Sequence, residues 1–280
     1  MALPPVPGLT GPPLGRCVVM GVVNVTPDSF SDGGAFASTD AAISHGLALA
    51  SDGADVVDVG GESTRPGAAR IDVDEELRRV VPVVGGLCQA GVVVSVDTTR
   101  AAVAEAALDA GAALVNDVSG GLGDPGILKV VAAHGAPYVV MHWRAPSAEM
   151  QQHAVYGDVV AEVCAELRRR VDAVVEAGVD PELVVVDPGL GFAKDAGHNL
   201  ALLHGIAALL ALGPPVLVGA SRKSFLGSVL GGRDVADRED ATQAVTTLVA
   251  AAGVWGVRVH AARPAADAVR IVAAVGQASR

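Results

Sequence analysis

Short apolar runs that end abruptly at a polar residue recur along the whole chain. Each run has Val, Ile, Leu or Ala at nearly every position, which is typical of parallel strands buried on both faces. The polar residues reached at the ends of these runs are Asn24, Glu62, Asp97, Asn116, Asp117, His142, Asp187, Lys223, Arg258 and His260. The pattern predicts parallel strands whose carboxyl ends gather functional groups at one mouth.

Helical patterns lie between the apolar runs and predict a helix after most strands. They cover residues 40–51, 74–89, 100–109, 125–133, 156–177, 197–212, 238–252 and 264–275. Ser38, Thr39 and Asp40 offer N-caps for the first helix, and glycines follow several helix ends. Roughly eight strand–helix units are the number that closes a (β/α)8 TIM barrel, so the predicted fold class is α/β with this architecture.

An open doubly wound sheet is the alternative architecture for such an alternation. It is disfavoured because no GxGxxG motif follows the first strand. The chain of 280 residues has the usual length of one barrel, and no linker or composition shift divides it. We therefore predict an irregular Pro- and Gly-rich segment over residues 1–15 and a single barrel domain over residues 16–280.

The composition of the chain argues against some classes of protein and indicates the cellular compartment. The formal net charge of −11 argues against a nucleic-acid surface, which needs a basic face. Three widely spaced cysteines suit reduced thiols better than a disulfide framework. The apolar stretch 200–220 is interrupted at Gly213, Pro214 and Pro215, which leaves pieces too short to span a bilayer. We expect a cytoplasmic protein that is not in a membrane.

Two long polar segments after predicted strands carry candidate ligands. Asn24, in the first, offers an oxygen suited to Mg²⁺, as do the two aspartates of NVTPDSFSDGG, but a hydrogen-bonded turn is the commoner explanation for this spacing. Arg65, in the second, lies between Thr64 and Pro66 and could bind a carboxylate or phosphate. A solvated surface arginine explains Arg65 equally well, so both readings stay open.

Acidic and amide side chains end three of the middle strands, at Asp97, Asn116 and Asp187. A carboxylate in a partly dry mouth needs a partner, because burying it unpaired is costly. A flat heterocycle with adjacent N–H donors would supply that partner. Each residue alone could instead cap the following helix. Three together favour a bound ligand.

Basic side chains end the last two predicted strands, at Arg222 and Lys223 and at Arg258 and His260. Alternation along a strand places Arg258 and His260 on the same side. The loops after the seventh and eighth strands of such barrels frequently bind phosphate. This convergent basic group therefore predicts an anion site.

Seven segments, in this order along nearly the whole chain after Gly15, resemble the signature segments of bacterial dihydropteroate synthases. They are GVVNVTPDSFSDGG, VVDVGGESTRPGA, SVDTTR, VNDVSGG, DPGLGFAK, GASRKSFLG and GVRVH. The resemblance implies a barrel enzyme of folate biosynthesis. Such transferases join 4-aminobenzoate to (7,8-dihydropterin-6-yl)methyl diphosphate and release pyrophosphate and 7,8-dihydropteroate.

The resemblance also implies a role for individual residues. The pterin ring would contact Asp97, Asn116, Met141, Asp187, Phe192 and Lys223. The pyrophosphate would contact Asn24, Thr64, Arg258 and His260. The aminobenzoate would contact Phe30, Thr64, Arg65, Pro66 and Ser224. The catalytic group would be Asp97, Lys223, Arg258 and His260. Mg²⁺ on the pyrophosphate would bind Asn24.

Two alternatives keep the barrel but change its activity. One is a pterin-binding paralogue without synthase activity. The other is a pterin barrel of the methyltetrahydrofolate methyltransferase type, which needs neither an aminobenzoate segment nor a pyrophosphate cluster; STRPG and SRKS argue against it. The resemblance further implies a homodimer that is sensitive to sulfonamide analogues of aminobenzoate.

Overall fold

The strands form one closed parallel sheet in a computed structural model that describes residues 3–25, 39–63 and 70–278. The strands are β1 (Val18–Asn24), β2 (Val56–Gly60), β3 (Val94–Asp97), β4 (Leu114–Asp117), β5 (Tyr138–Met141), β6 (Val184–Asp187), β7 (Leu217–Val218) and β8 (Gly256–Val259). Their order is β6-β5-β4-β3-β2-β1-β8-β7. A parallel bridge between Val186 and Val216 joins the two ends of this sheet. The predicted (β/α)8 barrel is confirmed.

Helices surround the sheet. They lie in the predicted segments, with small shifts at their ends, except that one predicted helix is divided in two and one observed helix was not predicted. They are α1 (Thr39–Ser51), α2 (Val73–Gln89), α3 (Ala101–Asp109), α4 (Gly126–His134), α5 (Val159–Glu176), α6 (Ala196–His204), α7 (Ile206–Leu210), α8 (Ser224–Val229), α9 (Glu239–Ala252) and α10 (Ala262–Ala278). The predicted helix 197–212 is two helices separated at Gly205, which packs against Val160 of α5. Helix α8 was not predicted, because six residues are too few to show a helical period.

Alternation along the strands separates an outer core from an inner one. Outward side chains such as Val57, Val96 and Val186 pack under the helices. Inward side chains near the amino ends form an apolar floor that contains Val18, Met20, Val56, Ala113, Leu114, Val139, Val185 and Leu217. Polar residues follow on the same inward face toward the carboxyl ends, because side chains two positions apart share a face. The barrel therefore has an apolar floor and a polar mouth.

The segment before β1 closes the amino end of the barrel. It is irregular in backbone, yet Val6 is fully buried and belongs to the apolar floor. Leu9 packs against the same floor. The indole Nε1 of Trp255, just before β8, donates a hydrogen bond of 2.9 Å to the carbonyl oxygen of Pro7. The Pro- and Gly-rich start is thus packed, although its composition alone suggests a loose terminus.

The cysteines and the helix lengths add two further observations. Cys17, Cys88 and Cys164 are free thiols. Burial raises the pKa of the Cys17 thiol to about 12, so Cys17 stays protonated at neutral pH. Among the helices of the described ranges, none combines the length and the hydropathy that a bilayer crossing requires.

Candidate active site at the carboxyl ends of the strands

Strand register places the predicted polar residues at one level of the barrel mouth. Asn24 pairs with Gly60, Gly60 with Asp97, and Asp97 with Asn116 across neighbouring strands. These residues face inward because they continue the alternation of the apolar floor below them. The end of β6 brings Asp187 to the same mouth, as predicted.

Arg258 of β8 joins two carboxylates across the barrel interior. Its Nε donates a hydrogen bond of 2.6 Å to Asp58 Oδ2, and its Nη2 donates one of 2.7 Å to Asp97 Oδ2. Asn116 Nδ2 also donates to Asp58 Oδ2, at 3.0 Å. Burial raises the pKa of Asp97, and the Arg258 guanidinium opposes that rise. The four side chains form one charge-assisted network in the mouth.

Asp58 is a site residue that the strand-end rule missed. It lies in the middle of β2 and is fully buried. Its Oδ1 has no hydrogen-bond partner among the described residues, and neither has Ser95 Oγ, which β3 places opposite Asp58. A carboxylate inside an otherwise apolar parallel strand was the available signal, because such a group requires a buried partner.

Asp187 and Lys223 are a second set of charged side chains in the mouth, and their opposite charges interact. Asp187 Oδ1 accepts a hydrogen bond of 2.7 Å from the Gly189 backbone N–H. Lys223 Nζ donates a hydrogen bond to the Leu190 carbonyl oxygen and lies 4.9 Å from the centroid of the Phe192 ring. Burial lowers the pKa of Lys223 to about 8, although the Asp187 charge opposes the shift. Burial also raises the pKa of Asp187, against the opposing charge of Lys223.

Gly219, directly after β7, faces the charged side chains of the mouth. A Cβ atom there would lie 3.7 Å from Lys223 Nζ and 3.8 Å from both Asp187 Oδ2 and Arg258 Cβ. The two charged groups therefore border the same space. Met141 is opposite Asp187 in the register of β5 and β6 and is buried. With Phe192 it offers apolar contacts beside the polar edge, which suits a flat heterocycle.

The basic residues of the last strands separate into two groups. His260 Nδ1 lies 2.9 Å from Ser221 Oγ. Since β8 pairs with β1, His260 and Arg258 lie on the side of the mouth where β1 ends at Asn24. Arg222 instead donates to Glu239 Oε2 of α9 at 3.0 Å. Arg222 is therefore held in a helix contact, whereas the other predicted cations border the mouth.

The predicted aminobenzoate contacts are only partly described. Ser224 begins α8 and is exposed. Phe30, Thr64, Arg65 and Pro66 lie outside the described residues. Their roles stay predictions.

Arg100 joins the two described ends that flank residues 64–69. Its Nη2 donates to Glu62 Oε2 at 2.9 Å and to the Ile71 carbonyl oxygen at 2.5 Å. The Ile71 N–H donates to the same Glu62 oxygen at 3.0 Å. Arg100 follows β3 closely, so the two ends are fixed beside Asp97.

A barrel whose mouth combines buried acids, an amide, an arginine and a lysine is the class of site that binds a polar heterocycle. The chain matches the family described as pterin binding enzyme over residues 20–260 and belongs to that family. The dihydropteroate synthase of Mycobacterium leprae (strain TN) is 55% identical over 262 residues, which are 91% of this chain and 92% of that protein. The resemblance to dihydropteroate synthases is thereby confirmed.

Solved structures of dihydropteroate synthases share this fold. The Xanthomonas albilineans enzyme with 4-aminobenzoic acid has a TM-score of 0.87 and 44% identity, over 93% of each chain. The same enzyme in complex with 7,8-dihydropteroate has a TM-score of 0.84 and 43% identity, over 93% of this chain and 94% of that one. Those ligands are bound by the relatives, and both are the ligands that the resemblance implies.

Proposed function

We propose that this protein is a dihydropteroate synthase, which joins 4-aminobenzoate to (7,8-dihydropterin-6-yl)methyl diphosphate. The products are 7,8-dihydropteroate and pyrophosphate. The observation that carries the proposal is the pair of charged groups around Gly219, Asp187 with Lys223 and Asp97 with Arg258, at the mouth of a pterin-family barrel. Relatives with this name and with bound aminobenzoate or dihydropteroate support it.

The pterin ring would lie in the mouth beside Gly219, between Asp187 and Asn116. Its guanidine-like edge presents adjacent N–H groups, which the Asp187 carboxylate can accept bidentately. Lys223 and Asn116 would donate to the ring acceptors, while Met141 and Phe192 would pack near the ring. The Gly189 N–H occupies one lone pair of Asp187 and so fixes the direction of the carboxylate.

The pyrophosphate would lie on the side of β1 and β8. Asn24, Arg258 and His260 approach each other there because β1 and β8 are paired, and Thr64 would be a fourth contact. This adjacency supports a single anion bound by residues from both ends of the sequence. Each preorganised donor aimed at the leaving group would stabilise the transition state by about 3–4 kcal/mol.

The residues of this mouth fit Mg²⁺ held mainly by substrate. The described residues contain no group of three His, Cys, Asp or Glu side chains arranged to hold a metal. Asn24 offers one amide oxygen at the end of β1, and Mg²⁺ typically combines one or two protein ligands with phosphate oxygens and water. When bound, Mg²⁺ would neutralise charge on the leaving pyrophosphate.

The reaction forms one C–N bond and breaks one C–O bond. The amine nitrogen of 4-aminobenzoate attacks the pterin methylene carbon and loses a proton to solvent water, while pyrophosphate leaves with the electron pair of the C–O bond. Arg258 would stabilise the charge on the leaving group. If the C–O bond breaks early, positive charge on the methylene lies near Asp97, whose carboxylate would stabilise it. Ser224, with the predicted Phe30, Thr64, Arg65 and Pro66, would hold the aminobenzoate.

One assay tests the activity against both alternatives. The protein is incubated with the pterin pyrophosphate, Mg²⁺ and 4-aminobenzoate, and pyrophosphate and dihydropteroate are both measured. We expect equal amounts of the two products, and loss of both in Asp187→Asn because the pterin edge loses its charged acceptor. Pterin binding without turnover would favour a non-catalytic paralogue or a methyltransferase-type barrel.

We also propose that the protein is a homodimer in the cytoplasm. Helices α9 and α10 pack together and leave Leu248, Ile271 and Val275 between 64% and 68% exposed. If these side chains form one contiguous patch, the patch would favour a protein contact. Free thiols suit a reducing compartment. Light scattering should give twice the chain mass, and Leu248→Lys together with Ile271→Lys should give the mass of one chain.

A further inference from the structure

A buried polar cluster lies behind the loop that connects β6 to α6. The loop runs over residues 188–195 and carries the peptide groups that contact Asp187 and Lys223 in the mouth. The cluster consists of Lys194 from this loop, His142 from the end of β5, and Glu166 from α5. The reaction chemistry described above uses none of the three.

Lys194 makes the central contacts of the cluster. It is 3% exposed. Its Nζ donates to the Phe192 carbonyl oxygen at 2.9 Å and to the Gly189 carbonyl oxygen at 3.1 Å, and lies 2.9 Å from His142 Nδ1. All three acceptors are neutral, and they match the three N–H donors of an ammonium group.

His142 is arranged to accept from Lys194. Its Nε2 lies 2.8 Å from Glu166 Oε2, which also accepts from Arg144 Nε at 3.1 Å. An Nε2–H that donates to the carboxylate leaves Nδ1 free of hydrogen and able to accept. Burial lowers the pKa of His142 to about 4, so the ring is neutral at physiological pH. Burial lowers the pKa of Lys194 to about 7, with the Asp187 charge opposing.

The backbone of the loop needs such fixed partners. Gly189, Gly191 and Ala193 have φ values of 65°, 82° and 48°, so three positions within five residues are left-handed. Ala193 is an L-residue with a Cβ, so this conformation costs free energy and persists only where the surroundings hold it. A Cβ at Gly189 would collide with the His142 carbonyl oxygen. The hydrogen bonds of Lys194 hold the loop in this conformation from behind.

The position of the loop sets the position of the pterin contacts. Gly189 donates its N–H to Asp187 and accepts from Lys194 through its carbonyl oxygen. Phe192 accepts from Lys194 through its carbonyl oxygen and presents its ring to Lys223. A displacement of the loop therefore moves the carboxylate and the ring together.

We propose that Lys194 is a positioning residue for the pterin half of the site, an inference that rests on the proposed function. It acts through the β6–α6 loop, by fixing the Asp187 carboxylate and the Phe192 ring in the geometry that the pterin requires. The aminobenzoate half of the site is predicted on other segments, so the effect of Lys194 should be confined to the pterin.

The test replaces Lys194 with methionine, which has a similar length and no N–H donors. We expect the Kd and KM for the pterin pyrophosphate to rise about tenfold or more, as for other residues that orient a ligand contact. The KM for 4-aminobenzoate should change by less than about threefold. Calorimetry gives the Kd and steady-state kinetics give the two KM values.

Gln151→Leu is the matched control, because Gln151 contacts the same loop from the segment between β5 and α5. Gln151 Nε2 donates to the Gly191 carbonyl oxygen at 3.2 Å but is exposed, so water replaces the bond. Pterin binding should stay within about threefold of the native value in this variant. Asp187→Asn supplies a second comparison: Lys194→Met should cost less affinity in that background, because the part of its effect that passes through Asp187 is already lost. Additive losses would indicate a purely structural role and contradict the proposal.

Binding and turnover measured with the native protein distinguish failure of this inference from failure of the proposed function. A native protein that neither binds the pterin pyrophosphate nor turns it over contradicts the proposed function. An active native protein with unchanged pterin affinity in Lys194→Met overturns the positioning role. If the methionine variant does not fold, Lys194→Gln, which keeps two neutral N–H donors, should give an intermediate Kd. Failure of both variants to fold would show that Lys194 supports the whole fold, and this result would also overturn the positioning role.

Discussion

Arg258 lies between two carboxylates that are themselves buried, and its loss should affect both stability and chemistry. Arg258→Met leaves Asp58 and Asp97 without their shared guanidinium. Breaking a buried ion pair costs about 3–5 kcal/mol in the free energy of unfolding. Loss of a preorganised donor to the leaving group should lower kcat about 100-fold. Denaturant unfolding and steady-state kinetics measure the two effects. Native stability in the variant would contradict the network.

Asp97 is expected to act in the transition state more than in binding. Asp97→Asn keeps the size of the side chain but removes the charge that would stabilise the pterin methylene. We expect kcat to fall more than the affinity for the pterin, and the comparison of kcat with the pterin Kd measures this difference. Equal losses in both quantities would exclude a special role in the transition state.

Pterin binding should weaken as the pH rises through the range from about 7 to about 8. Burial lowers the pKa of Lys194 to about 7 and that of Lys223 to about 8, so each ammonium is lost above its lowered pKa. Lys223→Arg should remove the component near pH 8, because arginine stays charged. The Kd for the pterin, measured from pH 6 to pH 9, tests this. A pH-independent Kd in the native protein would contradict the assignment of charge to either lysine.

At the scale of elements, the segment after β2 is fixed at both ends by one arginine. Arg100 contacts Glu62 and Ile71, and it also forms an ion pair with Glu76 of α2. Burial raises the pKa of Glu76, and Thr98 and Arg100 oppose that rise. Arg100 therefore joins α2, β3 and the ends of the segment that carries the predicted aminobenzoate contacts.

Arg100→Met should destabilise the protein and weaken aminobenzoate binding. The buried Glu76 carboxylate loses its counter-charge, which costs about 3 kcal/mol. The KM for 4-aminobenzoate should rise more than the KM for the pterin, because the freed segment carries the predicted Thr64, Arg65 and Pro66. Arg78→Met is the control: Arg78 is exposed and pairs with Glu75 on the surface, so its loss should leave the free energy of unfolding close to the native value. Equal effects of the two variants would contradict this assignment.

How far the sequence predicts these elements depends on how local each signal is. Apolar runs predicted the strands, and strand-end positions placed Asp97, Asn116 and Asp187 at one mouth because parallel strands end together. The break at Gly205 was not predicted, because it depends on the approach of Val160 from another helix. The partners of Asp58 are more distant still, since Arg258 lies 200 residues away in sequence. Such contacts follow from barrel closure, which no local window contains.

At the scale of the whole molecule, the two ends of the barrel have different roles: one contributes to stability and the other carries the functional groups. The amino end holds the apolar floor and the packed start of the chain, and the carboxyl end holds the charged mouth. Buried charge is costly and requires stable surroundings. The floor supplies part of that stability without contributing to the chemistry.

Val6→Ala should separate these two contributions. Val6 is fully buried in the floor, and loss of two methyl groups there should lower the free energy of unfolding by about 2 kcal/mol. The kcat at a temperature where the variant is folded should be unchanged, because the mouth is at the other end of the barrel. Val155→Ala, at a side chain that is 76% exposed, should change stability by less than about 0.5 kcal/mol. Two results would contradict this separation of stability from function. One is a stability loss in Val155→Ala as large as that in Val6→Ala, and the other is a lower kcat in Val6→Ala.

The late position of Arg258 in the sequence has a consequence for the ion pairs of the mouth while the chain is being synthesised. Arg258 follows Asp58 by 200 residues and Asp97 by 161, so both acids leave the ribosome long before their counter-ion. A chain interrupted before residue 258 also lacks at least half of β8, the strand that lies between β1 and β7. Such a fragment keeps an open sheet edge and two acids without their guanidinium, a state that proteases recognise. The same contacts that prepare the site therefore distinguish a finished chain from an interrupted one.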